Sequence, residues 1–264
     1  MAALSKSVAI VGVDESDEIG KVPGKSNLQH HAEAAHNALA DAGLSINEVN
    51  GLFTAGTSTL NLAEYLGIEP RFTDTTAVGG SSFIIHIAHA IAAINAGYCD
   101  VALVTHGEAG RSRRSRPGLD SADPGPQYET PYGFIGAPIN YAMAARRYMH
   151  LFGEDRTRQG MAEIAVATRK WAQMNPKAYI KDDMSFEDYH ESRWISWPFH
   201  LFDCCLVTDA GGAYVITSSE RAKDARKKPV YVLGAAESHD HNIISQMPDL
   251  TRSVARNTGP AALE

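Results

Sequence analysis

A glycine pair followed by a serine pair, Gly79-Gly80-Ser81-Ser82, separates a short run from Thr73 from a long apolar run ending at Gly97. This spacing predicts a strand, a tight turn and a helix that opens at Ser81-Ser82. The first turn of such a helix leaves backbone N–H groups unpaired beside Gly80 to Ser82, and these stabilise an anion or a developing oxyanion. Glycine there lets a reacting group approach the backbone. Ile84, Ile87, Ala88, Ile91 and Ile94 recur at helical spacing and are read as the buried face. Ala90, Ala93 and Ala96 make the opposite face apolar too, so this helix is expected to lie inside the protein. The plainer alternative is a strand–helix corner with Ser81 or Ser82 as an ordinary N-cap.

Further along lie other candidate groups. His106 follows the β-rich run Val101 to Thr105, and Glu108 is read either as lining the site floor or as a buried structural carboxylate. Arg111, Arg113, Arg114 and Arg116 form a basic cluster, read either as a solvated loop or as a landing site for ligand phosphates. Tyr128, Tyr132 and Phe134 add aromatic bulk suited to lining a pocket. His86 and His89 are read as core or interface histidines rather than metal ligands. His30, His31 and His36 share a predicted helix without an i, i+4 pair, so no metal site is expected. Cys204 and Cys205 are read as small buried residues, with His200 the nearest candidate base. No GxGxxG run is present, which speaks against a dinucleotide site.

The elements that must position these groups alternate. Strands are predicted at Ser7 to Val13, Asn47 to Thr57, from Thr73, Val101 to Thr105, Gly212 to Thr217 and Val230 to Glu237. Helices are predicted at Ser26 to Ala42 (stopped by Gly43), Leu60 to Leu66 (closed by Gly67), Asn140 to Phe152, Thr157 to Met174, Phe186 to Ser192 and from Thr251. On Thr157 to Met174 the expected buried face is Met161, Ile164, Ala165, Thr168 and Ala172. Strands interleaved with helices predict an α/β fold with right-handed crossovers and buried parallel strands. Glu108 to Pro138 is left without regular structure, and the charged link Glu220 to Lys228 is the expected domain boundary.

At 264 residues, with 44% hydrophobic and 21% charged residues, the chain has the composition of a soluble globular protein. A formal net charge of −7 argues against nucleic acid as the main partner. Three cysteines are too few for a disulfide scaffold, and a reducing, cytoplasmic compartment is expected. The opening MAALSKSVAIVG has no secretory pattern, and His86, His89 and Asn95 interrupt the longest apolar run, so no membrane span is expected.

Five phrases occur in an order that resembles the thiolase superfamily, in its sterol-carrier-protein-x or lipid-transfer-protein branch. They are HHAEAAHNALADAGLSINEVNGLF, the strand–helix around Gly80, INYAMAARRYMHLFG, MAEIAVATRKWAQMNPKA and FDCCLVTDAGGAYVITSSERA. The resemblance implies a layered αβαβα thiolase-like fold of two similar halves. Residues 1–225 would be the N-terminal-type domain, with a loop insertion at about 108–202 over an acyl-CoA tunnel, and residues 226–264 would open a truncated second half. Thiolases start the central helix with a nucleophilic cysteine, which maps to Gly80, or to Ser81 if the register slips. The histidine base and second cysteine of the second half, in GHP and CxG contexts, have no match.

The missing cysteine resembles the steroid side-chain CoA aldolases of this branch. It implies retro-aldol cleavage of a β-hydroxyacyl-CoA, with Gly80, Ser81, Ser82 and His106 at the site. Arg111, Arg113, Arg114, Tyr128, Tyr132 and Phe134 would meet the substrate. No bound cofactor is expected, coenzyme A thioester being the substrate. The implied assembly is a homodimer, or a heterotetramer with a DUF35-type OB-fold and zinc-ribbon protein. The alternatives are an acetyl-CoA acetyltransferase-like enzyme acting through Ser81 or Cys204, and a non-catalytic acyl-CoA-binding subunit.

Overall fold

A computed structural model describes residues 6–113 and 124–264. In chain order its elements are β1 (Val8–Glu15), α1 (Asn27–Ala42), β2 (Gly51–Thr54), α2 (Thr59–Leu66), β3 (Phe72–Asp74), α3 (Ser82–Asn95) and β4 (Val101–Ala109). There follow α4 (Pro124–Tyr128), α5 (Ala137–Phe152), α6 (Glu154–Met174), α7 (Phe186–Glu191), β5 (Trp194–Ser196) and β6 (Phe199–His200). Then come β7 (Asp209–Ser218), β8 (Val230–Tyr231) and α8 (Ala255–Leu263). The chain forms two compact units, one containing 6–113, 207–238 and 256–264, the other 124–206 and 239–255.

The first unit is built on a six-stranded sheet of order β3-β2-β4-β7-β1-β8. β2 runs parallel to β3 and β4, whereas β7 is antiparallel to both β4 and β1. The sheet is therefore mixed, and the parallel character expected from alternating elements holds only at the β3-β2-β4 end. β7 also explains why β4 runs on to Ala109, past the expected end at Thr105. It pairs with β4 residue by residue from Val101 opposite Thr217 to Ala109 opposite Asp209.

Local signals set the helix ends. Ser26 accepts a hydrogen bond from the Gln29 N–H at 3.3 Å, while the Gln29 side chain accepts from the Ser26 N–H at 2.7 Å, a capping box. Gly43 ends α1 at φ 74° and Gly67 ends α2 at φ 69°, the left-handed stop that glycine adopts without strain. The pleat then divides the core. Leu103 and Val215 face α1 and α2, packing with Ala38, Leu39 and Leu62. Their neighbours Val104 and Ile216 face α3, packing with Phe53, Ala90 and Ile91.

α1 sits on the sheet backbone to backbone. A Cβ at Gly12 would fall 2.7 Å from the Ala42 Cβ, one at Gly107 would fall 2.7 Å from the Asn27 oxygen, and one at Gly211 would fall 2.8 Å from the His30 carbonyl carbon. Three strands thus present glycine where the alanine-rich face of α1 crosses them. His30 and His31 are buried at this seam and His36 is exposed.

Two helix faces differ from the sequence expectation. On α3 the buried residues are Ser82, Ile85, His86, Ala90, Ile91 and Ala93, while Ile84 is 68% exposed. On α6 the buried residues are Ala162, Ala165 and Val166, with Ile164 68% exposed. Isoleucine carries the largest weight in a periodicity count, yet at both sites polar or small residues set the phase. The second unit has a small core of Ala162, Ala165 and Tyr189, with Met161, Met184 and Phe202 packed on it. Among the described residues no helix is long and apolar enough to cross a membrane.

Candidate active site

The turn between β3 and α3 has two glycines with different reasons to be glycine. Gly79 sits at φ 83°, a conformation a side chain resists. Gly80 has no such backbone, and a Cβ there would meet no heavy atom within 4 Å. Open space therefore lies over Gly80. Ser81 is exposed and caps α3 without a side-chain hydrogen bond. Ser82 is fully buried: its hydroxyl donates to the Gly79 carbonyl at 2.6 Å and accepts from the Val78 N–H at 2.8 Å. Among the described residues none accepts from the N–H of Gly80 or Ser81. The first turn of α3 thus offers two backbone donors beside an open space, an oxyanion-hole geometry.

Ser82, His86 and His89 follow at i, i+4 and i+7, a polar stripe on one side of α3 that stitches the turn down. His86 Nε2 donates to the Thr76 carbonyl at 3.1 Å. Its Nδ1 meets no hydrogen-bond partner among the described residues, and the rings of Phe53 and Phe83 lie 5.9 and 6.0 Å away. Burial lowers the His86 pKa, so the ring stays neutral. His89 Nδ1 donates to Asp74 Oδ2 at 2.5 Å and Nε2 lies 3.1 Å from Glu237 Oε2. Asp74 in turn accepts from the Thr76 N–H at 2.7 Å. Burial works to raise the Asp74 pKa, but the bonds from Thr76 and His89 outweigh it and hold the carboxyl low.

His106 stands beside this helix start, its ring 4.8 Å from that of Phe83. It is half-buried, and Glu108 Oε2 is 3.8 Å from its Nε2. Burial lowers its pKa, opposed by the Glu108 charge. Glu108 itself is exposed, so it is not a buried structural carboxylate. The Tyr214 hydroxyl, whose pKa burial raises, donates to the Phe83 carbonyl and ties β7 to the first turn of α3.

Of the basic cluster, Arg111 and Arg113 are exposed, and Arg114 and Arg116 lie outside the described residues. The chain here is anchored by Asp209, which sequence reasoning passed over. Its carboxylate accepts from the N–H groups of Val22, Arg111 and Ser112 and from the Ser112 hydroxyl, at 2.5 to 2.9 Å. Burial alone would raise its pKa; these bonds hold it far below the usual carboxylate range. Gly80, Ser81, Ser82 and His106 therefore share the first unit with Arg111. Tyr128, 67% exposed, Tyr132, 80% exposed, and the half-buried Phe134 belong to the second unit. So do Cys204, whose thiol burial pushes up, and the exposed Cys205. Neither cysteine is the buried residue expected, and a half-buried thiol donating to the His200 carbonyl at 3.7 Å is a poor nucleophile. Among the described residues no group of histidine, cysteine and carboxylate side chains is arranged to hold a metal.

No family model matches the chain. It is 38% identical over 247 residues to the 17-hydroxy-3-oxo-4-pregnene-20-carboxyl-CoA lyase of Mycobacterium tuberculosis, covering 89% of the chain and 63% of that protein. It is 36% identical over 258 residues to the steroid side-chain-cleaving aldolase of Thermomonospora curvata, covering 92% of the chain and 64% of that protein. The chain thus spans a little under two thirds of the length of these relatives. Among solved structures it matches the Ltp2-ChsH2(DUF35) aldolase with a TM-score of 0.84 at 34% identity, covering 94% of the chain and 66% of the other. It also shares the fold of a monomeric SCP2-thiolase-like protein from Mycobacterium smegmatis, with a TM-score of 0.76 at 23% identity. The chain has a thiolase-like fold and is a homologue of the steroid side-chain-cleaving aldolases.

Proposed function

We propose that this chain forms the thiolase-fold part of a carbon–carbon lyase that cleaves a β-hydroxyacyl-CoA thioester carrying a steroid side chain. The observation that carries this reading is the geometry at Gly80, which the thiolase resemblance sets in the place of the nucleophilic cysteine, or Ser81 if the register slips. Gly80 has free space above it and no backbone requirement for glycine, and it is flanked by unpaired N–H donors. Retro-aldol cleavage needs no acyl-enzyme. A base takes the β-hydroxyl proton, the electron pair left on oxygen forms the C=O bond of the ketone, and the Cα–Cβ bond breaks. The electrons of the broken bond pass to the thioester as an enolate, which is then protonated at Cα. The enolate oxygen carries the developing charge and would accept hydrogen bonds donated by the Gly80 and Ser81 N–H groups. His106, beside the Phe83 ring at the start of the helix, is the proposed proton acceptor in this unit.

Arg111, Arg113 and Arg114 are proposed to meet the phosphates of coenzyme A, and Tyr128, Tyr132 and Phe134 the acyl portion. A DUF35-type protein is the proposed partner, by analogy with the Ltp2-ChsH2(DUF35) aldolase. The test is incubation of the protein, with and without such a partner, with 17-hydroxy-3-oxo-4-pregnene-20-carboxyl-CoA. Steroid ketone and shortened acyl-CoA are read by mass spectrometry, alongside the intact mass of the protein. Ketone and acyl-CoA in equal amounts, with no mass added to the chain, are expected. An acyl adduct on the protein, or no cleavage in the presence of partner, would overturn the reading.

A further inference from the structure

Among the described residues no backbone–backbone hydrogen bond joins residues 75–81 to the sheet, yet this stretch carries the two donors on which the proposed site depends. What holds it is the polar stripe of α3. Ser82 secures residues 78 and 79, His86 secures the Thr76 carbonyl, and the Thr76 N–H is secured by Asp74. Asp74 is held in turn by His89, which is the most distant member of the stripe and does not touch the turn. Both ring nitrogens of His89 face carboxylate oxygens, Asp74 at 2.5 Å and Glu237 at 3.1 Å. The ring thus bridges a carboxylate on β3 to one on the chain beyond β8. The His86 ring lies 6.3 Å away along the same stripe.

We propose that His89, clasped between the carboxylates of Asp74 and Glu237, is a positioning residue that fixes the Gly80 and Ser81 N–H groups for the reaction. Its catalytic part rests on the lyase reading given above; the clasp itself does not. Glu237 lies 148 residues away in sequence. It makes the placement of the turn depend on the chain beyond β8.

Two measurements test the clasp on the full chain. Hydrogen–deuterium exchange compares the hydrogen-bonded amides of Thr76, Val78 and Ser82 in wild type, His89→Ala and Glu237→Gln. His89→Ala should speed exchange there at least about tenfold while the amides of α1 and β4 keep their protection. Glu237→Gln, whose amide oxygen still accepts a hydrogen bond, should give a smaller change in the same direction. Unchanged exchange at these three amides would overturn the clasp, as would an equal rise throughout α1 and β4, which marks general loss of stability.

The second measurement is steady-state cleavage with partner present. A positioning role predicts kcat lowered about tenfold or more, with KM within about twofold, because the donors act on the transition state. A raised KM at unchanged kcat would overturn the positioning role. Absence of turnover in the wild type would instead overturn the lyase reading, and the exchange result would still decide whether the clasp exists.

Discussion

The same substitution at two glycines of the first unit should have opposite consequences. At Gly107 a new methyl would collide with the His31 backbone nitrogen and lie 2.7 Å from both the Asn27 oxygen and the His31 Cδ2. Ordinary contact begins near 3.4 Å and the nearest atom, the His31 nitrogen, would lie closer than the other two, so α1 must lift by roughly 1 Å, and neither the helix nor the strand backbone can rotate away. Overpacking of this kind costs about 3 kcal/mol. For a chain of this size that lowers Tm by about 6–12 °C. At Gly80 the methyl meets nothing within 4 Å and the backbone is not left-handed, so Gly80→Ala should leave Tm unchanged or raise it slightly. The methyl does, however, stand in the space beside the oxyanion donors. Loss of one such donor costs about 10²-fold in kcat, which sets the scale of the expected fall in turnover. Thermal unfolding followed by circular dichroism, with cleavage assayed on the same samples, reads both. If Gly107→Ala melts within 2 °C of wild type, as an order of magnitude no change, the close seating of α1 is wrong. If Gly80→Ala cleaves substrate at the wild-type rate, the site is not there.

Two further outcomes follow from buried charges. Asp209→Asn replaces a carboxylate that satisfies three backbone donors and a hydroxyl, and should cost about 3 kcal/mol in urea unfolding at neutral pH. Because its folded pKa is depressed, this stabilisation is complete above the unfolded carboxylate pKa of about 3.9 and fades only as pH falls below it. His31 is buried and neutral, its pKa pushed down to about 4 by burial first and by the nearby His106 and His30 second. The unfolded chain then binds more protons between pH of about 6.5 and 4, and stability should fall by about 3 kcal/mol as pH drops through that window. In His31→Gln the slope over this window should flatten, as measured by unfolding midpoints at stepped pH.

Much of this architecture was legible in local signals. The Ser26 and Gly43 ends of α1, the Gly67 stop of α2 and the Gly79 turn are all set by one or two residues, and each was found where expected. The thiolase-like fold and its aldolase branch came from ordered phrases along the chain. The phase of α3 was not legible, because hydrophobic counting weights Ile84, which faces solvent, and discounts His86, which is fully buried. A histidine is buried only where partners exist for it, and those partners, Thr76 and the Phe53 and Phe83 rings, are set by the fold. Gly107 and Gly211 were unread for a similar reason: neither has a positive φ, and only the approach of α1 explains them. Asp209 was hidden because its donors lie nearly 100 and 190 residues away.

The polar stripe on α3 also bears on how the proposed site would work without a nucleophilic side chain. A cysteine at the start of a helix brings its own reactive atom, and a shift of the backbone by a few tenths of an ångström changes its reach little. Where the reacting partners are backbone N–H groups, the backbone is the catalytic element and must itself be held. Burying Ser82 and His86 beneath the turn carries a desolvation cost that an apolar helix would avoid. Hydrogen bonds to Gly79, Val78 and Thr76 offset that cost and convert it into a fixed turn. An apolar replacement of His86 close to it in shape, such as His86→Leu, would therefore retain much of the stability of α3 and lose the turn. That combination, a folded protein with a mobile oxyanion site, separates a helix built for packing from one built to hold its own N-terminus.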